Sequence, residues 1–281
     1  MTKTIGFIDY FLDEFHANAY PEWIEQASGG AVKVAYAFAL TDKEDGLSNT
    51  EWCRRHNVQW IDSIEEVVRL SDYLIVLSPD DPEHHESLSQ LPLRLGKPTY
   101  IDKTFAPDRE TALRLFELAE RHGTPMFSTS ALRYATEFAG VRKDGIEAVA
   151  SWGPGRFANY GIHQIEPVVT LMGSDPKRVK FIGTANAPAL LIDFGGGRQA
   201  SIHHFGGDCP FMMAVQQESG TSQILKVESN FFGTFIEKLV EFFRTGRPPV
   251  ERAETVAVVT IIEYGIKAAA VPHRWVDLPQ G

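Results

Sequence analysis

The sequence predicts an α/β domain with a doubly wound parallel sheet, followed by an α+β domain built on a mostly antiparallel open sheet. Two observations support this. Short β-rich runs alternate with helical patterns over the first 128 residues, and such alternation pairs strands in parallel through right-handed crossovers. Beyond residue 128, extended segments follow one another directly. We therefore predict a first, nucleotide-binding-type domain over residues 1–128. A second domain is predicted over residues 129–281.

Several predicted strands of the first domain are apolar throughout, as expected of strands buried on both faces. The five predicted strands of this domain are Thr4–Ile8, Val32–Phe38, Tyr73–Leu77, Thr99–Ile101 and Pro125–Ser128. The predicted helices are Asp13–Ala27, Leu47–His56, Ser63–Leu70, His84–Leu95 and Arg109–His122. The segment Ser63-Ile-Glu-Glu66 has the pattern of a capping box, and Gly123 marks the end of the last of these helices.

The second domain is predicted to contain six extended segments and three helices. The strands are Glu147–Trp152, Arg178–Thr184, Ala189–Phe194, Gln199–Phe205, Phe211–Gln217 and Ser222–Val227. The helices are Ile162–Met172, Asn230–Arg244 and Arg252–Ala270, and we expect helix 252–270 to pack on the first domain. "DFGGGRQASIHHF" predicts a hairpin that turns at its three glycines, with His203 and His204 on opposite faces of the strand.

Composition and charge narrow the range of functions. The chain has 43% hydrophobic and 23% charged residues, which is typical of a soluble globular protein. A net charge of −10 leaves no basic surplus for nucleic acid or an anionic membrane. Two unrelated cysteines and the absence of a signal-peptide pattern predict a cytoplasmic location, and no apolar run is long enough to span a bilayer.

Ligands of open parallel sheets bind beyond the carboxyl ends of the strands, so residues at those positions are candidates for a site. They are Asp9 after the first strand, Ser78, Asp80, Asp81 and His84 after the strand Tyr73–Leu77, and Asp102 and Lys103 after Thr99–Ile101. The aspartates could instead cap the helices that follow, and His84 could simply lie in a first helical turn. Lys103 is harder to explain as an ordinary surface residue. A lysine at the end of a strand, inside a ligand crevice, can serve as a catalytic acid or base.

In the second domain, "NYGIHQIEPVVTLMG" places Asn159, His163 and Glu166 near the start of one helix. His163 and Glu166 are three residues apart and share a helix face. A half-buried structural histidine is the alternative interpretation of His163.

Together these segments resemble the glucose–fructose oxidoreductase / inositol dehydrogenase (Gfo/Idh/MocA) family. "TYIDKTFAPDRETALRLFELAERHGTPMFSTSALRY" is similar to the segment in which a strand ends in Glu-Lys-Pro and an Asn-x-Arg-Tyr/Phe motif follows. Here Asp102-Lys103-Thr104 and Ser130–Tyr134 stand at those positions. "NYGIHQIEPVVTLMG" is similar to the family's Asp-x-Gly-x-His-x-x-Asp segment, and "IIEYGIKAAAVPHRWVDLP" to its closing helix and tail.

The resemblance implies a Rossmann-like first domain and an NAD- or NADP-dependent oxidoreductase of a sugar, inositol or related polyol or keto-sugar. It implies that Lys103 and His163 are the catalytic pair. The substrate-binding residues it implies are Asp102, Arg133, Tyr134, Asn159, Tyr160 and Glu166. Relatives commonly pair through the open sheet, so a homodimer or homotetramer is expected.

The chain departs from the family at the cofactor. Phe11 and Glu14 stand near positions that need glycine for close approach of a pyrophosphate, and Leu40 follows the second strand where an acid would bind ribose. We expect Asp9 to face the crevice, Phe11 to fill the space of the missing glycine, and Asp13 or Glu14 to cap the helix. Residues expected to border any cofactor are Asp9, Phe11, Ser78, Asp80 and His84.

These departures leave other functions open. A lyase, epimerase or isomerase could use Lys103 and His163 for proton transfer on a sugar-like substrate. A divalent ion such as Mn²⁺ or Zn²⁺ could assist, held by residues among Asp9, Asp80, Asp81, Asp102, His84 and His163. A non-catalytic sugar-binding relative is the third alternative.

Overall fold

A computed structural model of the protein describes residues 2–78 and 80–280. The strands are β1 (Lys3–Asp9), β2 (Val32–Ala39), β3 (Gln59–Trp60), β4 (Tyr73–Val76), β5 (Thr99–Ile101), β6 (Met126–Phe127), β7 (Ile146–Pro154), β8 (Arg178–Phe181), β9 (Ala189–Gly195), β10 (Arg198–Phe205), β11 (Met212–Gln217), β12 (Ser222–Lys226) and β13 (Trp275–Asp277). The helices are α1 (Phe15–Ala27), α2 (Asn49–His56), α3 (Ile64–Leu70), α4 (His85–Ser89), α5 (Arg109–Arg121), α6 (Thr136–Ala139), α7 (Phe157–Met172), α8 (Phe231–Thr245) and α9 (Arg252–Ala269).

The chain forms two compact units. The first comprises Met1–Thr129 and Gly233–Glu251, and the second comprises Ser130–Phe232 and Arg252–Gly281. The first boundary lies one residue beyond the predicted one at 128. The segment 233–251 was predicted to lie in the second domain, but its contacts group it with the first unit.

The first unit is built on a parallel sheet with the strand order β3-β2-β1-β4-β5-β6, which confirms the predicted doubly wound α/β class. Strand β1 lies between β2 and β4, and its last five residues are buried because both faces of the sheet are covered. Its carboxyl end at Asp9 therefore lies at the same edge as the ends of β4 and β5.

Helix α8 supplies aromatic side chains to the core of the first unit. The ring of Phe235 lies 6.0 Å from Tyr20 and 5.4 Å from Tyr100. Phe242 packs edge-on against Phe127, and Phe243 stacks on Tyr73. These contacts explain why residues 233–251 group with the first unit although they interrupt the second unit in the sequence.

The second unit is built on a sheet with the order β12-β11-β7-β10-β9-β8-β13. Its strand pairs are antiparallel except β7 with β10, which is parallel, so the predicted mostly antiparallel sheet is confirmed. The predicted hairpin joins β9 to β10, and Gly195, Gly196 and Gly197 all have φ between 61° and 85°, a range that glycine adopts at little cost. His204 is buried and His203 is half-buried, on opposite faces as predicted.

Helix α9 packs on α7 and β8 of the second unit, and its residues Val258, Ile261 and Ile262 belong to that unit's hydrophobic core. That helix 252–270 packs on the first domain stays a prediction, because the contacts given for α9 lie within the second unit.

Several element boundaries differ from the prediction. The predicted helix 84–95 is divided into short turns at Pro82–His84 and Pro92–Arg94 around α4, because proline lacks the N–H that a continuous helix needs. Helix α7 begins at Phe157, five residues before the predicted start. The short elements β3, α6 and β13 were not predicted. No helix in the described residues is long and apolar enough to cross a membrane.

Candidate active site

Two side chains from distant parts of the sequence pair at the carboxyl edge of the first sheet. Asp102, which directly follows β5, is fully buried, and its Oδ2 bonds Nδ1 of His16 in the first turn of α1. The hydroxyl of Tyr100 donates to Oδ1 of Asp102 at 2.9 Å. The His16 ring also stacks on Tyr20, with the two ring centres 5.0 Å apart. The imidazole is thus fixed in one orientation by a carboxylate, as in catalytic histidine–aspartate pairs.

Burial and mutual attraction act in opposite directions on this pair. Burial alone would lower the pKa of His16, but the Asp102 carboxylate outweighs it and the pKa is raised. Burial alone would raise the pKa of Asp102, but the charge and hydrogen bond of His16 lower it. Each group thus favours the charged form of the other.

Lys103 lies beside this pair and is also nearly buried. Its side chain is 11% exposed, and its Nζ lies 3.2 Å from Oδ1 of Asp80, whose side chain is largely exposed. Asp102 and Lys103 are thus brought together with Asp80 and His16 within the first unit. An amine, an imidazole and carboxylates that lie together at the carboxyl edge of the sheet can accept and donate protons.

The turn between β1 and α1 carries two further buried acids. Asp9 is 1% exposed, its Oδ1 accepts a hydrogen bond from the Tyr10 N–H at 2.7 Å, and its Oδ2 has no hydrogen-bond partner among the described residues. Burial and the neighbouring Glu14 raise the pKa of Asp9 well above its usual range. Glu14 is the N-cap of α1, which confirms that Asp13 or Glu14 caps this helix. Burial raises the pKa of Glu14 to about 7.

Other residues expected to border a cofactor lie around the same turn. The Tyr10 ring stacks on His84 with centroids 4.2 Å apart, and the half-buried Phe11 ring packs against Tyr10. Ser78 is buried with φ of 90°, a backbone conformation that is uncommon outside glycine, and its hydroxyl donates to the Asp81 carbonyl at 3.0 Å. His84 is therefore part of an aromatic stack rather than only a residue of a helical turn.

In the second unit, His163 is held by a hydroxyl. Nδ1 of His163 lies 2.7 Å from Oγ of Ser130, and the His163 ring packs edge-on against Tyr160. Asn159 and Tyr160 are exposed in the first turn of α7. The predicted residues Asn159, Tyr160 and His163 thus lie together at the start of one helix, as their spacing predicted.

Arg133 and Glu166, which the resemblance implies as substrate-binding residues, form an ion pair with each other. The Arg133 guanidinium lies 3.3 Å from Oε1 of Glu166 and bonds Oε2 of Glu254, and the Glu166 side chain is only 3% exposed. Burial would lower the pKa of Arg133, but the two carboxylates raise it. These three charges form an ion triad in which Glu166 is buried and Glu254 is half-buried. Tyr134, at the end of the adjoining turn Ala131–Tyr134, is half-buried.

Comparison with solved structures identifies the fold. GenD2 from gentamicin A biosynthesis, in complex with NAD, matches 99% of this chain and 97% of its own with a TM-score of 0.79 and 16% identity. A probable dehydrogenase from Thermotoga maritima matches 98% of both chains, with a TM-score of 0.79 and 13% identity. A candidate myo-inositol dehydrogenase from Sinorhizobium meliloti 1021 matches 99% of this chain and 100% of its own, with a TM-score of 0.75 and 12% identity.

The chain has the fold of these three proteins. This agrees with the two-domain architecture implied by the sequence resemblance. No protein-family model and no curated protein sequence matches the chain.

In dinucleotide-binding folds of this type, backbone N–H groups at the β1–α1 turn bind the pyrophosphate. In this chain, the N–H groups of Tyr10, Leu12, His16 and Ala17 donate to side chains of the protein itself. Glu14, which accepts two of these bonds, lies at the N-terminus of α1 where the pyrophosphate would lie. The turn therefore does not fit a dinucleotide diphosphate.

The described residues give no support to the divalent-metal site that the sequence left open. Among residues 2–78 and 80–280, no group of three or more His, Cys, Asp or Glu side chains is arranged to hold a metal ion. The candidate ligands have other contacts, since Asp80 pairs with Lys103, His84 stacks on Tyr10 and His163 bonds Ser130. Asp9 is bound by the backbone of its own turn.

The sequence did not reveal His16 and Glu14 as parts of one cluster with Asp102. His16 and Asp102 are 86 residues apart, so no local spacing connects them. The available signal was that both follow the carboxyl end of a predicted parallel strand, and such ends meet at one edge.

Proposed function

We propose that the protein is an enzyme that moves protons on a sugar, inositol or related polyol or keto-sugar, as a lyase, epimerase or isomerase. The observation that carries this proposal is the buried arrangement of Lys103 beside the paired His16 and Asp102. Such reactions need groups that remove and return a proton, and they need no dinucleotide at the β1–α1 turn.

Each residue has a defined task in this proposal. Lys103 and His163 exchange protons with the substrate. Asp102 raises the pKa of His16, which favours the protonated ring that can donate a hydrogen bond or a proton to a substrate oxygen. Ser130 fixes the His163 ring through Nδ1, so that Nε2 is the nitrogen that exchanges the proton. Asn159 and Tyr160, exposed beside His163, offer polar contacts to hydroxyl groups.

A second candidate is an oxidoreductase of the same substrates that holds NAD or NADP without using the β1–α1 turn. The shared fold favours it, because GenD2 is a neighbour in complex with NAD. Such an enzyme would need another set of contacts for the diphosphate.

Deuterium exchange tests the proposal without knowledge of the product. Wild-type protein is incubated in D₂O with a panel of aldoses, ketoses, inositols and keto-inositols, and mass spectrometry measures deuterium incorporation. We expect exchange of a carbon-bound proton in at least one compound without added NAD(P). Lys103→Met should slow this exchange by about 10²–10⁴-fold, the usual contribution of a positioned acid or base.

The matched control is Lys33→Met, which removes an exposed lysine of β2 in the same unit and should leave the exchange unchanged. Turnover that is seen only with NAD(P) and changes absorbance of the nicotinamide would instead support the second candidate. Binding of a sugar with neither exchange nor redox turnover would identify a non-catalytic relative.

We also propose that the protein assembles as a homodimer or homotetramer through the outer face of its second sheet. That face has a concave patch lined by small and uncharged side chains: Ala148, Ala150, Leu191, Ser201, Ala214 and Gln216. Ile224 pairs directly with Ala214 on the neighbouring strand and is 73% exposed. An exposed apolar side chain beside an uncharged patch is typical of a protein interface.

Light scattering should give a mass of two or four times 31.3 kDa for the wild type. Ala214→Arg should convert the assembly to monomers, because it places a charge at the centre of the patch. Gln26→Arg on the exposed side of α1 adds the same charge elsewhere and should not change the mass. A wild-type protein that is monomeric at micromolar concentration would contradict this part of the proposal.

A further inference from the structure

We infer that the β1–α1 turn is a phosphate-binding turn whose donors are already taken by the protein's own side chains, so that neither a dinucleotide nor another phosphate binds there. This extends the proposed function by restricting the ligand of the first unit to one without phosphate at this turn. It rests on the hydrogen bonds of the turn, which are independent of the reaction catalysed.

The first step concerns the end of helix α1. The first N–H groups of a helix have no partner within the helix, and together with the helix dipole they form an anion site. Here the Glu14 carboxylate accepts the N–H of His16 at 2.7 Å and that of Ala17. A covalently attached carboxylate thus occupies the place of a phosphate.

The second step concerns the turn before the helix. The N–H of Tyr10 donates to Oδ1 of Asp9, and that of Leu12 donates to Oδ1 of Asn49 at 3.0 Å. Leu12 is fully buried, so this N–H cannot be exposed to a ligand without moving the Leu12 side chain. An incoming phosphate would have to displace an internal partner at each of these donors.

The third step concerns the neighbouring loop after β2. The N–H of Leu40 donates to the carbonyl of Asp9 at 3.1 Å, and that of Thr41 donates to the carbonyl of Tyr10 at 3.0 Å. The two loops are therefore joined by backbone bonds beyond the strand ends. Lys43, a cation beside the turn, donates to the Asp13 carbonyl at 2.6 Å and lies 5.7 Å from the centre of the Phe11 ring.

Calorimetric titration tests the inference with ADP and NADH as probes. Wild-type protein should show no saturable binding at about 1 mM of either probe. Replacing both Phe11 and Glu14 by glycine should produce binding that is at least about tenfold tighter than in the wild type, because space and two N–H donors become available. Glycine is tolerated at an N-cap, so helix α1 should persist in this variant.

Circular dichroism and thermal unfolding show whether the double variant is folded. If it is not, Glu14→Ser alone keeps a capping side chain and should bind ADP more tightly than the wild type. Micromolar binding of ADP or NADH to the wild type, with the diphosphate at the β1–α1 turn in a crystal structure of the complex, would overturn the inference, and so would a folded variant that gains no affinity. These outcomes do not depend on turnover, so failure of the deuterium-exchange experiment leaves this inference separately testable.

Discussion

Replacing Arg133 by methionine is expected to lower the free energy of unfolding by about 3–5 kcal/mol, the usual cost of removing one partner from a buried ion pair. The cost arises because Glu166 and Glu254 lose the guanidinium that neutralises them. Glu166 is nearly inaccessible to water, so solvent cannot replace the guanidinium as the partner of its carboxylate. Urea unfolding followed by tryptophan fluorescence measures the loss.

Two further variants make this result specific. Arg156→Met removes an exposed arginine at the start of α7 and should change stability by less than about 0.5 kcal/mol. Adding Glu166→Gln to Arg133→Met should recover part of the loss, because one unpaired charge is removed. If Arg133→Met is as stable as the wild type but no longer binds ligand, then Arg133 is the substrate-binding residue that the sequence resemblance implies.

Replacing Asp102 by asparagine is expected to lower the free energy of unfolding by about 3 kcal/mol near pH 6, at the lower end of the range for broken buried pairs. The loss is limited because His16, the partner that is left behind, can release its proton. The amide of asparagine also cannot accept hydrogen bonds from both His16 and Tyr100 as the carboxylate does.

The pH dependence of this loss has a definite sign. The pKa of His16 is raised above 6.5 in the folded protein, so its stabilising contribution is complete below pH 6.5 and is lost as pH rises through the folded pKa. The pKa of Asp102 is lowered below 3.8, so its contribution is complete above pH 3.8 and is lost on acidification. The difference between wild type and Asp102→Asn should therefore be largest between about pH 4 and pH 6.5.

A double-mutant cycle with His16→Gln isolates the pair. If His16 and Asp102 stabilise the fold through each other, the double variant should lose less stability than the sum of the two single variants. A loss in Asp102→Asn that is equal at pH 6 and pH 9 would contradict a charged pair.

The sequence predicted those parts of the fold that depend on local pattern. The apolar run of β1 predicted that strand. The helix after it was predicted to be capped by Asp13 or Glu14, because acidic side chains favour the N-cap position. The hairpin at Gly195–Gly197 was evident from three consecutive glycines. The length of helix α4 was overestimated, because Pro92 lies inside an otherwise helical pattern and interrupts the helix there.

The sequence was less informative about contacts between distant residues. Arg133 and Glu254 are 121 residues apart, and nothing in either local segment indicates that they share an ion triad. The resemblance instead suggested that Arg133 binds substrate. The pairing of His16 with Asp102 was missed for the same reason, because strand order and the positions of strand ends must be known before such pairs can be seen.

The route of the chain through its two units has a practical consequence. The chain leaves the first unit at Thr129, returns after Phe232 and leaves again at Glu251, so neither unit is encoded by one continuous stretch of the gene. A fragment ending at residue 129 would lack the Phe235, Phe242 and Phe243 rings that pack on Tyr20, Tyr73, Tyr100 and Phe127. An independently expressed first unit would therefore need residue 129 joined to residue 233 by an engineered linker.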